Sequence, residues 1–359
     1  MLLLLLLHHS LTHSAELHPE MVTGSVSFTL TAAVMATAIA WYFLLSSGQE
    51  RSVTLQVIKY FSRSHDGIPT GPIASNAAWY GPKMMELQEK WLIHLSASEI
   101  GNIRDAVSAA VATNKSLSAL TANDFPLGEL ARNVSAWQHS LSPEVGLGVI
   151  VLRGLPIHTW STLEQEILWW GLGMHIGIPG AQNGNGDLLG RVSNEFFLVD
   201  DAKSLEVGNV RQYRTSEKIE FHCDPADVVG LLCLHTAGKG GGRSRLASSV
   251  TVFNEMQKKH PDLIARLFQP LALDSRGDSG MNWFPMTPCT YSRGVLRTFW
   301  HTEYMRTAYR YPDSPYPNIP SDVASLISTY DAIANDPDIY LEMDFREGDV
   351  QLISNHVVR

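Results

Sequence analysis

His222-Cys223-Asp224 is the stretch of this chain whose residue types and spacing most directly suggest chemistry. Apolar and polar residues alternate from Ile219 into the triplet, and Val228-Val229-Gly230-Leu231-Leu232 follows as a β-branched apolar run, so the surroundings read as strands. In a strand, residues i and i+2 project to the same face; His222 and Asp224 therefore point together while Cys223 points away. An imidazole nitrogen beside a carboxylate oxygen supplies two-thirds of a 2-His-1-carboxylate triad, which leaves adjacent positions open on non-haem Fe(II). The triplet alone is weak, because most such His and Asp residues in proteins are ordinary surface polar groups.

The elements that must position this pair lie on both sides of it. Ser96-Ala97-Ser98-Glu99 has capping-box spacing, and Ile100, Ile103, Val107 and Val111 hold one face, which predicts a helix over about 97–112. Val145 to Arg153 reads as an apolar strand stopped by Gly154 and Pro156, followed by a helix from about Thr162 to Gly171. Further helices are expected at about 249–258, from Pro261 to Phe268, and after Ser321 as a cap. Leu341 to Phe345 alternates as a strand, turns at Glu347-Gly348-Asp349 and returns as Val350 to Ser354, a strand pair. Strands interrupted by helical insertions give the expected fold class: α+β, a distorted double-stranded β-helix of jelly-roll type, preceded by an N-terminal hydrophobic helix.

Composition bounds the partners. At 359 residues, 45% hydrophobic and 18% charged, the chain is an ordinary globular protein with room for a large core. A net charge of −9 argues against a general phosphate-backbone binder, so no nucleic-acid partner is expected. Cysteines at 223, 233 and 289 form no paired framework and fit a reducing compartment. Asn114 and Asn133 match the glycosylation acceptor and are read as chance matches for a cytosolic body.

The stretch from His222 to Met256, with Gly240-Gly241-Gly242-Arg243-Ser244-Arg245 inside it, resembles the TauD/TfdA-like family of Fe(II)- and 2-oxoglutarate-dependent oxygenases. Trp79-Tyr80-Gly81-Pro82, Val149 to Pro156, Gln182-Asn183-Gly184 and Gly348 to His356 extend the resemblance over roughly residues 75–359. It implies that His222 and Asp224 bind iron, and that Ser244 hydrogen-bonds a carboxylate of 2-oxoglutarate. It implies a family motif Asn-Asn-His-x-x-x-His, whose second histidine is the third ligand; here Ser354-Asn355-His356-Val357-Val358-Arg359 closes the sequence. The third ligand is thus expected just beyond Arg359, in a domain over 76–359 that is incomplete at its C-terminus, with His356 as the in-chain alternative. Gln182, Asn183 and Tyr213, with Arg211 and Arg214, are candidates for the substrate side. A carboxylate at 224 fills the position that related halogenases leave to halide, so hydroxylation of a small organic substrate by O₂, with release of succinate and CO₂, is expected. The competing expectation is an inactive oxygenase-like binding or scaffold protein.

Ahead of that domain, residues 1–48 are expected as a tail plus a membrane helix at about 26–45, and 49–75 as a linker. No charged side chain stands between Glu20 and Glu50, and Trp41-Tyr42 suits an interfacial belt. Arg51, Lys59 and Arg63 follow the segment, which places the body in the cytosol; without an anchor, a cytoplasmic protein is expected.

Overall fold

The computed structural model describes residues 1–7, 63–180, 182, 187–193, 219–238, 242–275, 282–314 and 318–359. Its strands are β1 (Leu2–Leu7), β2 (Leu92–His94), β3 (Val149–Arg153), β4 (Ile178–Pro179), β5 (Gly190–Arg191), β6 (Val228–Leu232), β7 (Arg243–Leu246), β8 (Leu271–Asp274), β9 (Trp283–Met286), β10 (Cys289–Ser292), β11 (Val295–Thr298), β12 (Leu341–Asp344) and β13 (Val350–Ser354). The helices are α1 (Gly81–Glu86), α2 (Ala97–Ala112), α3 (Ala131–Leu141), α4 (Thr162–Ile176), α5 (Ser249–Lys259), α6 (Ile264–Leu267), α7 (Thr302–Thr307) and α8 (Ser321–Ala334).

One sheet runs β2-β3-β13-β6-β1-β4, with β5 also paired to β1. Apart from the parallel pair β2–β3, its neighbours are antiparallel. Alternate residues sort onto two faces. Ile150, Leu152, Val228, Leu232, Val350 and Leu352 pack with Ile103, Val107, Trp137 and Trp169 of the helical layer α2–α4. Val149, Val151, Val229 and Ile353 join Leu246, Phe253, Tyr330 and Leu341 in a second core. Strands buried on both faces need continuous apolar sequence rather than clean alternation, and Val-Ile-Val-Leu in β3 shows it. Three two-stranded ladders, β7–β12, β8–β9 and β10–β11, complete the described strand pairing.

Capping boxes start both long helices of that layer. Ser96 with Glu99 opens α2 as the spacing predicts, and Ser161 with Glu164 opens α4. Helix α4 continues past Gly171 to Ile176, and Gly171 lets it lie against the Phe125 ring, where an added Cβ would sit 2.3 Å from a ring carbon. Gly230 does the same for the sheet: a Cβ there would meet the Trp169 indole at 2.7 Å.

Several expectations are corrected. The leucine run, read as part of a tail, is β1: Leu2 to Leu6 pair with Leu232 to Val228, and Leu2 and Leu4 are buried in the helical-layer core. Apolar side chains on both sides of an interior strand make that run equally suitable for a sheet. The turn at Gly348 does not close a hairpin. β12 pairs with β7 in one ladder, while β13 crosses to the large sheet between β3 and β6. Gly348 has φ +83° and packs against the Leu155 carbonyl, so the chain makes a sharp crossing there that a side chain would obstruct. Ser321 is the first residue of α8 rather than its cap, which is Pro320.

Of the expected linker, residues 63–75 form an extended segment fastened to α5: Ile73 N donates to Asn254 Oδ1 at 2.8 Å and Gln257 Nε2 to the Pro69 carbonyl at 2.8 Å. No helix among the described residues is long and apolar enough to cross a membrane. The hydrophobic segment at about 26–45 lies outside the described residues, as do residues 49–62 of the linker.

Candidate metal and cofactor site

The segment that carries His222 and Asp224 is a single bridge rather than a long ladder. His222 pairs with His301 in an isolated antiparallel bridge, and β6 begins only at Val228. The period-2 expectation nonetheless holds. Cys223 is fully buried in the core, while His222 and Asp224 each keep about 30% of their side chains exposed on the other side. The His222 Nε2 to Asp224 Oδ1 distance is 3.8 Å.

Three partners, Trp300, Asn355 and Glu220, hold this segment in place. Cys223 N donates to the Trp300 carbonyl at 2.7 Å. From the opposite side, Asp224 N donates to Asn355 Oδ1 at 3.1 Å, and Asn355 Nδ2 donates to the carbonyls of Asp224 and Ala226. His222 Nδ1 lies 2.9 Å from the Glu220 carbonyl. A carbonyl only accepts, so that contact puts the ring proton on Nδ1 and leaves the Nε2 lone pair on the side of Asp224. This is how metal-binding histidines are usually oriented.

An imidazole lone pair and a carboxylate oxygen fit a divalent metal such as Fe(II), and their separation is within two ordinary metal–ligand bonds, together about 4.2 Å. They supply two protein ligands. Among the described residues no group of three or more His, Cys, Asp or Glu could hold a metal ion.

His356, the in-chain alternative for a third ligand, is engaged elsewhere. Its Nε2 is 2.6 Å from Asp227 Oδ1, and burial, helped by the charge of Arg63, pushes its pKa down to about 4 against the pull of Asp227. Ser244 lies between the two layers, its hydroxyl accepting from Gln351 Nε2 at 2.9 Å, which leaves the hydroxyl proton to donate. Gln182 is tied to its own loop: its backbone N–H donates to the Asp187 carbonyl at 2.7 Å and its Nε2 to Gly180 at 2.9 Å. Asn183, Arg211, Tyr213 and Arg214 lie outside the described residues. Burial raises the thiols of Cys223 and Cys233 to about 11 and that of Cys289 to about 12, so all three stay protonated at neutral pH.

Two residues at the site escaped sequence reasoning. His301 stands across the bridge from His222 with ring centroids 5.2 Å apart, and it stacks on Tyr304 at 3.6 Å. Only pairing across 79 positions brings it there, so no local spacing could reveal it. Asn355 sits inside a quoted motif, but its clamp on Asp224 is visible only once the strands are assembled.

A family model for the taurine catabolism dioxygenase TauD, TfdA family matches residues 114–358. The chain belongs to that family. Its enzyme class is therefore the non-haem iron, 2-oxoglutarate-dependent dioxygenases, whose cofactors are Fe(II) and 2-oxoglutarate. FR-33289 synthase of Streptomyces rubellomurinus (strain ATCC 31215) is 24% identical to it over 294 residues, covering 80% of this chain and 82% of the relative. Taurine hydroxylase-like protein SAT17 of Stachybotrys chartarum (strain CBS 109288 / IBT 7711) is 25% identical over 302 residues, covering 79% and 73%. Among solved structures, asparagine oxygenase in complex with Fe(II), 2S,3S-3-hydroxyasparagine and succinate superposes with a TM-score of 0.57 at 15% identity, over 75% of this chain and 86% of that one. The non-heme iron oxygenase OrfP in complex with Fe and alpha-ketoglutaric acid gives 0.50 at 16%, over 74% and 86%. These likenesses establish a shared mixed α/β fold.

Proposed function

We propose that this TauD/TfdA-family chain oxidises a small organic substrate by hydroxylation, with His222 and Asp224 as its iron-binding pair. The observation that carries the reading is the orientation of that pair: Nδ1 of His222 held by the Glu220 carbonyl, Nε2 facing Asp224 Oδ1 at 3.8 Å. When bound, iron would let O₂, the oxidant, take two electrons from 2-oxoglutarate, which becomes succinate and CO₂, and two from the substrate C–H bond, which becomes C–OH. The chain's own residues bind and orient. Asn355 and the Trp300 carbonyl fix the backbone from which both ligands project. Ser244, steadied by Gln351, offers a hydroxyl proton to a 2-oxoglutarate carboxylate. The passage of the chain from β12 to β13, out of one ladder and into the large sheet, supports a distorted jelly roll.

The test is Fe(II) titration of the 359-residue chain, followed by succinate release in the presence of O₂ and 2-oxoglutarate. Iron binding at one equivalent that disappears in both His222→Ala and Asp224→Ala supports the pair. Undiminished iron in either variant overturns it.

The uncharged span from Met21 to Gln49 carries a proposed membrane anchor. Fractionation decides that point: recovery of the intact chain in the soluble fraction counts against it.

A further inference from the structure

The start of β6, the end of β13, the β10–β11 hairpin, the turn after α3 and the segment at Arg63 enclose a cleft of about 570 Å³. Neither His222 nor Asp224 lines it. Its walls carry three guanidinium groups, Arg63, Arg293 and Arg297, against two carboxylates. Both carboxylates are engaged: Glu144 pairs with Arg297 at 2.5 Å and Asp227 with His356 at 2.6 Å. The fields of Arg63 and Arg297 both reach the buried His356 ring, where they oppose a proton.

The cleft is built rather than accidental. The Arg63 segment is stitched to the hairpin by Ser64 Oγ to Ser292 Oγ at 2.9 Å and by Asp66 N to the Tyr291 carbonyl at 2.8 Å. Asp66 Oδ2 accepts from Ser292 Oγ and from Arg293 N, each at 2.9 Å. Arg293, at φ +52° and followed by Gly294 at φ +81°, occupies the hairpin tip. At the base of the cleft Ser354 is 1% exposed, and its hydroxyl has no hydrogen-bond partner among the described residues. A buried hydroxyl without a partner is costly unless a ligand or water completes it.

We propose that this cleft binds a dianionic oxyanion group of phosphate type on a small molecule, through Arg63, Arg293, Arg297 and Ser354. Three guanidiniums arriving from two separate segments suit a tetrahedral anion, which presents oxygens in several directions, better than a planar carboxylate, which one guanidinium fork satisfies. The site is distinct from the iron pair but joined to it by backbone: Asn355, which clamps Asp224, stands between Ser354 and His356 of the cleft wall.

The experiment is isothermal titration of the full, metal-free chain with inorganic phosphate and, separately, with succinate at low salt. Phosphate should bind at one site, more tightly than succinate, and weaken as salt is raised. Arg293→Asn keeps a residue that tolerates positive φ and should leave the melting temperature unchanged while weakening phosphate about tenfold. Ser354→Ala should weaken it by a smaller factor. No phosphate binding by the unaltered chain, equal affinity for succinate, or undiminished phosphate affinity in Arg293→Asn and Ser354→Ala overturns the proposal.

Discussion

Asp224 and Cys223 are neighbours with opposite exposures, and that contrast sets the sharpest residue-scale expectations. Asp224→Ala removes the anionic half of the pair and should abolish iron binding by the 359-residue chain, since a single imidazole is a weak hold. Cys223→Ala removes a buried thiol that burial keeps protonated; it should leave iron affinity intact and cost about 1 kcal/mol of packing. Iron stoichiometry and chemical denaturation of the two variants check both statements. Loss of iron in Cys223→Ala with retention in Asp224→Ala would falsify the strand register. Asn355→Ala leaves the Asp224 N–H and the Ala226 carbonyl without the Asn355 amide, while the Asp224 carbonyl keeps the Ala226 N–H, so stability should fall by roughly 1–3 kcal/mol, read from the denaturation midpoint. That His222 and Asp224 face the same way was legible in the sequence because it follows from a local period of two. His301 was not, because its approach to His222 is fixed by chain pairing far along the sequence.

At the scale of elements, legibility follows the range of the interactions. Helices α2 and α4 announce themselves through capping residues three positions apart, a signal contained in one turn. The leucine run has no such marker. Uniform leucine has neither a period of two nor one of 3.6, and only the paired backbone of β6 makes it a strand. Strand β13 was placed well in the sequence but not its partner, because a tight turn looks the same whether the chain folds back or crosses to another layer. Two substitutions probe these contacts by thermal or chemical unfolding. Leu4→Asp puts a charge into the helical-layer core and should destabilise by more than the roughly 1.5–3 kcal/mol of one buried leucine. Gly230→Ala presses a methyl on the Trp169 indole and should cost about 1–3 kcal/mol; an unchanged midpoint would show that β6 and α4 are not in this close contact.

Across the whole molecule, stability should depend on pH through His356. Its pKa is about 4 in the folded chain and about 6.5 when exposed. Between those values the unfolded chain takes up a proton that the folded chain refuses. Stability should therefore be full above about pH 6.5, fall as pH drops toward 4, and level off below it as far as this group is concerned. The slope from one such histidine is at most about 1.4 kcal/mol per pH unit. His356→Asn should flatten the profile between pH 4 and 6.5, measured by denaturant unfolding at several pH values; a profile as steep as that of the unaltered chain assigns the dependence to other groups.

The place of β1 in the sheet has a consequence for biosynthesis. Leu2 to Leu6 pair with residues 228 to 232, more than two hundred positions later in the chain. During translation at about 5–20 residues per second, the leucine run waits roughly 10–45 s before its partner strand leaves the ribosome. Until then six consecutive leucines can pair only with the two-residue strands β4 and β5, and before those emerge with neither, so they present an adhesive segment to other nascent chains and to chaperones. Folding of this sheet is thus necessarily late, and the yield of native protein should respond to chaperone supply and to slow growth temperature more than its final stability alone implies.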